Sequence, residues 1–337
     1  MERLADYDYE LPDELIAQVP LEDRAGSRLL WLHRESGVIE DRTFRDIVDI
    51  LEPEDLLVWN DTRVSALRLK GAKPTGGAVE ALVLQETSEG TFEALLKPGK
   101  RLKPGAVIEF SPSLKATVTA ELEEPLKEIR FDQAPGWRTD LESKGRVPLP
   151  PYITEEIQDP ERYQTIYSRT GGSAAAPTAG LHFTEELLVR LAKRGIQTAN
   201  VTLDVSLDTF RPVVSENLAE HKMHGETCSI PAETAAKIER ATGRIIAVGT
   251  TTARTLESFA VGRRRVRSGQ MSTSIFIRPG FEFQVVDGLF TNFHMPRTTM
   301  LMMISALASK DRIDAAYRHA TQHRYRFLSF GDSMLIL

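Results

Sequence analysis

Between Arg63 and about Lys144 the chain changes texture, and that change constrains its fold more than any other feature. Short runs of alternating apolar and polar residues follow one another at 79–84, 91–96, 106–110, 116–120 and 128–131. Gly and Pro turns separate most of them, at Gly76-Gly77, Glu89-Gly90, Pro98-Gly99 and Pro104-Gly105. A period of two with turn residues between runs predicts short strands closing into a small barrel or sandwich. The chain on either side reads differently. The expected architecture is therefore an α/β core domain, residues 1–62 plus 147–337, interrupted by an inserted small β-barrel domain at 63–146.

The flanking segments alternate helix and strand. Residues 12–18 read as a short helix with Pro12 in its first turn, 28–33 as a strand, Ser36-Gly37 as a turn, and 38–40 as extended chain. Apolar spacing of three to four makes 44–51 helical, and 56–60 is a strand after the break at Pro53. The proline-rich segment 147–152 is extended. Beyond it come a helix at 185–194 with Thr184 and Gly195 as caps, a strand at 198–203, and a helix at 232–241. A buried strand at 244–248, a helix at 252–259, a strand at 274–277 and helices at 299–308 and 313–323 complete the series. Such alternation argues for a partly parallel sheet.

Composition bounds the function. The 337 residues suit two domains, and 41% hydrophobic with 27% charged residues is the balance of a globular protein. The net charge is −6, so any contact with nucleic acid must come from a local basic patch, such as the loop Arg263-Arg264-Arg265-Val266-Arg267. A single cysteine, Cys228, permits neither an intrachain disulfide nor a multi-cysteine zinc site, and is expected to be core filler. Met295, Met300, Met302 and Met303 are read the same way. The acidic first ten residues do not resemble a signal peptide, and no apolar run approaches the ~20 residues of a membrane helix. The expected location is the cytosol and the expected state a monomer.

Four polar turns stand out once the common phosphate-loop, dinucleotide, nucleophile-elbow and zinc-protease motifs are found missing. Residues 174–184 carry small residues, His182 and the start of a helix, whose free N–H groups suit a ligand. At Gly249-Thr250-Thr251-Thr252-Ala253-Arg254 a buried strand runs into a glycine, three hydroxyls and a helix, the strand-end geometry where α/β proteins bind ligands. Asn292 and His294 flank Phe293 in the third turn, and Ser329-Phe330-Gly331-Asp332 forms the fourth, read as structural. His221 and His224 have a spacing that a metal pair uses, yet no carboxylate partner is evident, and no metal is expected.

Taken in order, these segments resemble the S-adenosylmethionine:tRNA ribosyltransferase-isomerase family of queuosine biosynthesis. The resemblance spans nearly the full chain. It is carried by residues 6–12, 56–64, 148–153, 162–165, 176–183, 221–224, 247–251, 291–294 and 325–327. It implies an α/β domain interrupted by a β-barrel. It also implies that S-adenosylmethionine is a co-substrate giving up its ribosyl group, without a metal. The implied acceptor is the aminomethyl group of 7-aminomethyl-7-deazaguanine in the anticodon arm of tRNA, and the products are epoxyqueuosine, adenine and methionine. That chemistry needs a base for the ribose carbon beside the sulfonium, help for departing adenine, and a taker for the amine proton. His182, His294 and His224 are the acid/base candidates. Pro177, Thr178, Gly180, Gly249, Thr250, Thr251 and Asn292 would hold the cofactor, and Arg254 its carboxylate. Arg63, Arg68, Arg263, Arg264 and Arg265 would touch phosphates.

One segment departs from the family. Where the family has histidine and two glycines, this chain has Asp204, Ser206 and Asp208. Asp204 joins the catalytic candidates as a base or as a partner for a cation. The same departures keep two alternatives open: a paralogue with a different acceptor, and a tRNA-binding protein without chemistry.

Overall fold

Leu56–Asn60 is buried at all five positions, as a strand covered on both faces must be. In the computed structural model, which describes residues 3–205, 216, 218, 221, 223 and 225–337, this strand belongs to a nine-stranded sheet. Its strands, in chain order, are β1 (Arg28–Leu32), β2 (Ile39–Thr43), β3 (Leu56–Asn60), β4 (Gln197–Leu203), β5 (Glu226–Ile230), β6 (Ile245–Val248), β7 (Gly269–Thr273), β8 (Gly288–Asn292) and β9 (Ser333–Ile336). Their order across the sheet is β7-β5-β4-β3-β6-β8-β9-β1-β2. β3 pairs in parallel with β4 and β6, β6 with β8, and β9 with β1, while the remaining pairs are antiparallel. The partly parallel sheet expected from the alternation is present.

Residues spaced by two put Leu57, Trp59, Ile246, Val248, Phe290 and Leu335 into one core with Phe44, Phe183, Leu187 and Leu191. Leu187 and Leu191 come from α1 (Glu185–Lys193). The Thr184 side chain caps it by accepting from Leu187 N at 3.2 Å. The later helices are α2 (Ala232–Arg240), α3 (Thr250–Ser258), α4 (Thr299–Ala308) and α5 (Lys310–Gln322). Among the described residues no helix is long and apolar enough to cross a membrane.

Several expectations are corrected. The strand foreseen at 274–277 lies earlier, at β7, because its antiparallel partner β5 pairs with residues 269–273. Thr273 Oγ1 then accepts from Ile275 N at 3.3 Å and turns the chain away. The helix at 12–18 is one 3₁₀ turn, Asp13–Leu15. The basic stretch 263–267 is a tight hairpin of Ala260–Gly262 with Arg265–Val266. α3 begins two residues earlier than the apolar pattern implied. Gly249 at φ 92° joins strand to helix directly, a conformation that suits glycine.

The chain divides into two compact units, Met1–Thr62 with Pro151–Thr170 and Ala176–Leu337, and Arg63–Pro150 with Gly171–Ala175. The second unit is a closed antiparallel barrel of six strands. Leu67–Ala72, a strand the sequence reading missed, pairs with both Ala78–Ser88 and Val107–Ser111. The ring closes where Leu126–Phe131 meets Leu114–Glu121. Helix Trp137–Lys144, also missed, adds Trp137 and Leu141 to the barrel core, with the Trp137 ring stacked on Phe131 at 5.9 Å.

Candidate active site

β3, β4, β6 and β8 end along one edge of the sheet. Val248 stands opposite Trp59 on one side and Phe290 on the other. The next residues along each strand, Asn60, Gly249, Thr291 and Asn292, are thereby brought side by side. A cavity of about 390 Å³ lies at this edge, where ligands of open α/β sheets sit. Pro177, Thr178, Gly249, Thr250, Thr251, Asn292 and His294 line it. So do Tyr152, Ser329, Met295 and Met300. The last two correct their reading as core filler: Met295 is 36% exposed and Met300 half-buried. Met302 and Met303 are buried.

His294 is buried, with Nε2 2.7 Å from Thr291 Oγ1. That hydroxyl donates its own proton to Asn292 O at 3.2 Å. With that proton on Asn292 O, the hydroxyl accepts from Nε2–H, the neutral tautomer in which Nδ1 keeps its lone pair. Burial drives the ring's pKa down to about 3. Its backbone is clamped by two tyrosines. Tyr317 Oη accepts from His294 N at 2.9 Å, and Tyr9 Oη donates to His294 O.

His182 does not line the main cavity. It ends the 3₁₀ helix Thr178–His182 and lies behind Asn292. Thr178 Oγ1 donates to Asn292 Oδ1 at 2.8 Å, which turns Asn292 Nδ2 toward His182 Nε2 at 3.3 Å. His182 Nδ1 then donates to Ser27 Oγ at 2.8 Å. Burial, with lesser contributions from Arg326 and Arg24, pushes this ring to about 3 as well. Gly180 is also off the cavity. A Cβ there would meet Tyr167 Oη at 2.0 Å, so glycine is needed for packing.

Asn60, which the sequence reading did not single out, ties the strand ends together. Its Oδ1 accepts from Thr62 N and Leu203 N, and its Nδ2 donates to Leu203 O at 2.9 Å and reaches Thr251 Oγ1 at 3.4 Å. Beyond it, Asp61 accepts from Asn200 Nδ2 and Thr202 Oγ1, both at 2.7 Å. Asp204 is half-buried beside this network and accepts from Thr62 Oγ1 at 2.8 Å. Burial, with Asp61 adding to it, raises its pKa above the usual carboxylate value. Its neighbour Val205 reaches the cavity wall, and Asp204 does not. His224, Ser206 and Asp208 lie outside the described residues.

Arg254 sits one turn into α3 and is 8% exposed. Its Nη1 meets Glu226 Oε2 at 2.5 Å, while Nε and Nη2 have no partner among the described residues. Those two N–H groups form one edge of the guanidinium fork, the shape that a carboxylate fills. Glu257, one turn further along α3, accepts from the backbone N–H groups of Gln284, Val285 and Val286 at 2.9–3.0 Å.

The arginines expected at phosphates are otherwise engaged. In the larger unit Arg263 and Arg264 face Asp287 at 3.3 and 2.8 Å, and Arg265 faces Glu239 at 3.3 Å. In the barrel unit Arg68 reaches Glu80 at 3.8 Å and Leu149 O at 3.4 Å, and Arg63 is half-buried and partnered. Among the described residues no group of three His, Cys, Asp or Glu side chains is placed to hold a metal. Cys228 is buried, and burial pushes its thiol up to about 11.

A model of the queuosine biosynthesis protein family matches residues 4–336. The chain belongs to the queuosine biosynthesis protein family. Similarity to individual proteins runs equally far. A relative from Symbiobacterium thermophilum named S-adenosylmethionine:tRNA ribosyltransferase-isomerase is 52% identical over 340 residues, covering 99% of this chain and all of that protein. A crystal structure of S-adenosylmethionine tRNA ribosyltransferase from Thermotoga maritima is 38% identical, with a TM-score of 0.57 over 98% of this chain and 100% of that one. The cavity of this queuosine biosynthesis protein therefore lies in a fold shared along the whole chain.

Proposed function

We propose that this chain is a tRNA-modifying transferase, an S-adenosylmethionine:tRNA ribosyltransferase-isomerase. The acceptor in this reading is 7-aminomethyl-7-deazaguanine at the wobble position, and the products are epoxyqueuosine, adenine and methionine. The observation that carries the reading is the neutral His294 imidazole on the wall of a cavity that the first turn of α3 also lines. A neutral ring with a free Nδ1 is the form that accepts a proton from the ribose carbon next to the sulfonium. Thr178 and Asn292, already bonded to each other, orient the nucleoside. Thr250 and Thr251 add hydroxyls and the amides that a helix start leaves without partners. Arg254, paired with Glu226, does not line the cavity, so no direct contact with the methionine carboxylate is assigned to it. His182 acts through Asn292. Asp204 does not line the cavity, so no proton transfer is assigned to it.

The test incubates the purified protein with S-adenosylmethionine and an anticodon stem-loop carrying 7-aminomethyl-7-deazaguanine. Mass spectrometry of the digested RNA and chromatography for adenine give the readout. Epoxyqueuosine with adenine is expected. Adenine without epoxyqueuosine would assign a different acceptor, and neither product from a folded, RNA-binding protein would remove the chemistry.

A further inference from the structure

Three arginines differ from those paired with carboxylates. The guanidinium groups of Arg24, Arg162 and Arg326 all bond to backbone carbonyls. Arg24 donates to Gln164 O at 2.8 Å and Glu161 O at 2.9 Å, Arg162 to Glu22 O at 3.2 Å, and Arg326 to Val19 O at 2.6 Å. Arg162 Nε and Arg326 Nη1 have no partner among the described residues. A carbonyl fixes a guanidinium without cancelling its charge.

The carboxylates of Asp159 and Glu161 lie close to Arg24, and Asp159 also accepts from Glu161 N at 3.0 Å. Asp332, close to Arg326, divides its oxygens between Arg28 N and Arg326 N. All three meet around one segment: Arg326 bonds Val19 O, Arg162 bonds Leu21 O and Glu22 O, and Arg24, two residues on, bonds Glu161 O and Gln164 O on either side of Arg162. His182 and Arg24 line a small opening that shares Ser329 with the main cavity. Tyr152, on the main cavity wall, bonds Ser329 Oγ at 2.8 Å. The charged cluster is therefore next to the candidate active site. A nucleotide whose base enters the cavity must leave its phosphates outside, because they continue into the neighbouring nucleotides. Val19 and Leu21, 53% and 37% exposed, add apolar surface beside the arginines.

We infer that Arg24, Arg162 and Arg326 form a patch that binds backbone phosphates of RNA flanking the reacting nucleotide. The inference rests on the reading of tRNA as substrate. Affinity for an unmodified anticodon stem-loop is measured against KCl concentration for the full chain, Arg162→Gln, Arg326→Gln, the double variant, and Arg138→Gln, whose guanidinium is paired with Glu86, as a comparison. Each of the first two variants is expected to weaken binding about three- to tenfold, and to reduce the slope of log affinity against log salt by about 1. Arg326→Lys should keep the slope, and Arg138→Gln should match the unaltered chain. A thermal melt separates loss of a contact from loss of fold, and if Arg326→Gln does not fold, Arg162→Gln decides alone. An unchanged slope in folded variants overturns the patch and leaves the tRNA reading intact. Absence of salt-dependent RNA binding by the unaltered chain overturns both.

Discussion

Asn292 Nδ2 lies 3.3 Å from His182 Nε2, so the histidine next to the family-matching Ala179-Gly180-Leu181 segment addresses the cavity through an amide and not directly. The two candidate histidines thus have different jobs. His294→Ala should lower turnover by about 10²–10⁴-fold, the range of a lost acid/base group. His182→Ala should act mainly on KM for S-adenosylmethionine, since Asn292 loses its brace. Steady-state kinetics on both variants checks this, and near-normal turnover in His294→Ala would remove it from the chemistry.

Acid should destabilise the fold through the same two rings. Each is held near 3 in the folded protein against 6.5 when free. Between those values the unfolded chain binds a proton that the native state refuses, so unfolding becomes easier as pH falls from 6.5 toward 3. The slope is up to about 1.4 kcal/mol per pH unit for each ring. Urea unfolding at pH 7 and pH 5 should show the loss, and His294→Gln should flatten it. Greater stability at pH 5 in the unaltered chain would contradict the assignment.

Gly180→Ala should cost about 1–3 kcal/mol, because the added methyl collides with Tyr167 Oη and Thr165 Cγ2. Tyr167→Phe in the same chain should recover part of it. Thermal melting of the single and double variants measures the coupling, and additive effects would show that the clash is not the cause.

Glu257→Gln should also destabilise, by about 1–3 kcal/mol. A neutral amide cannot serve all three N–H groups from Gln284 to Val286 as the carboxylate does. Chemical denaturation gives the value, and a loss below measurement error would show that other contacts hold that segment.

Legibility in the sequence followed the range of the interaction. The barrel runs and the helix–strand alternation are local patterns, and they reappear as the six-stranded barrel and the nine-stranded sheet. Pro177, Thr178, Gly249, Thr250, Thr251, Asn292 and His294, which line the cavity, drew notice because each sits in a turn with an unusual density of small or polar residues. Asn60 was missed because it closes an apolar strand, and its role depends on Leu203, far along the chain. Met295 and Met300 were misread because methionine carries no signal that separates a core from a cavity wall. The ion pairs of the basic run were not legible because the run says nothing of the carboxylates, Asp287 and Glu239, that fold back onto it.

β9 lies between β8 and β1 and, among the described residues, is the strand that joins the pair β1-β2 to the rest of the sheet. A ribosome makes β1 among the first described residues and β9 among the last. During synthesis the β1-β2 hairpin has no third strand, and one edge of β8 waits unpaired, a surface that invites chaperones or wrong partners. The sheet can close only after residues 333–336 have cleared the exit tunnel. Closure of this sheet thus waits on residues 333–336, and a stalled chain ending before Ser333 should be held by chaperones, not folded.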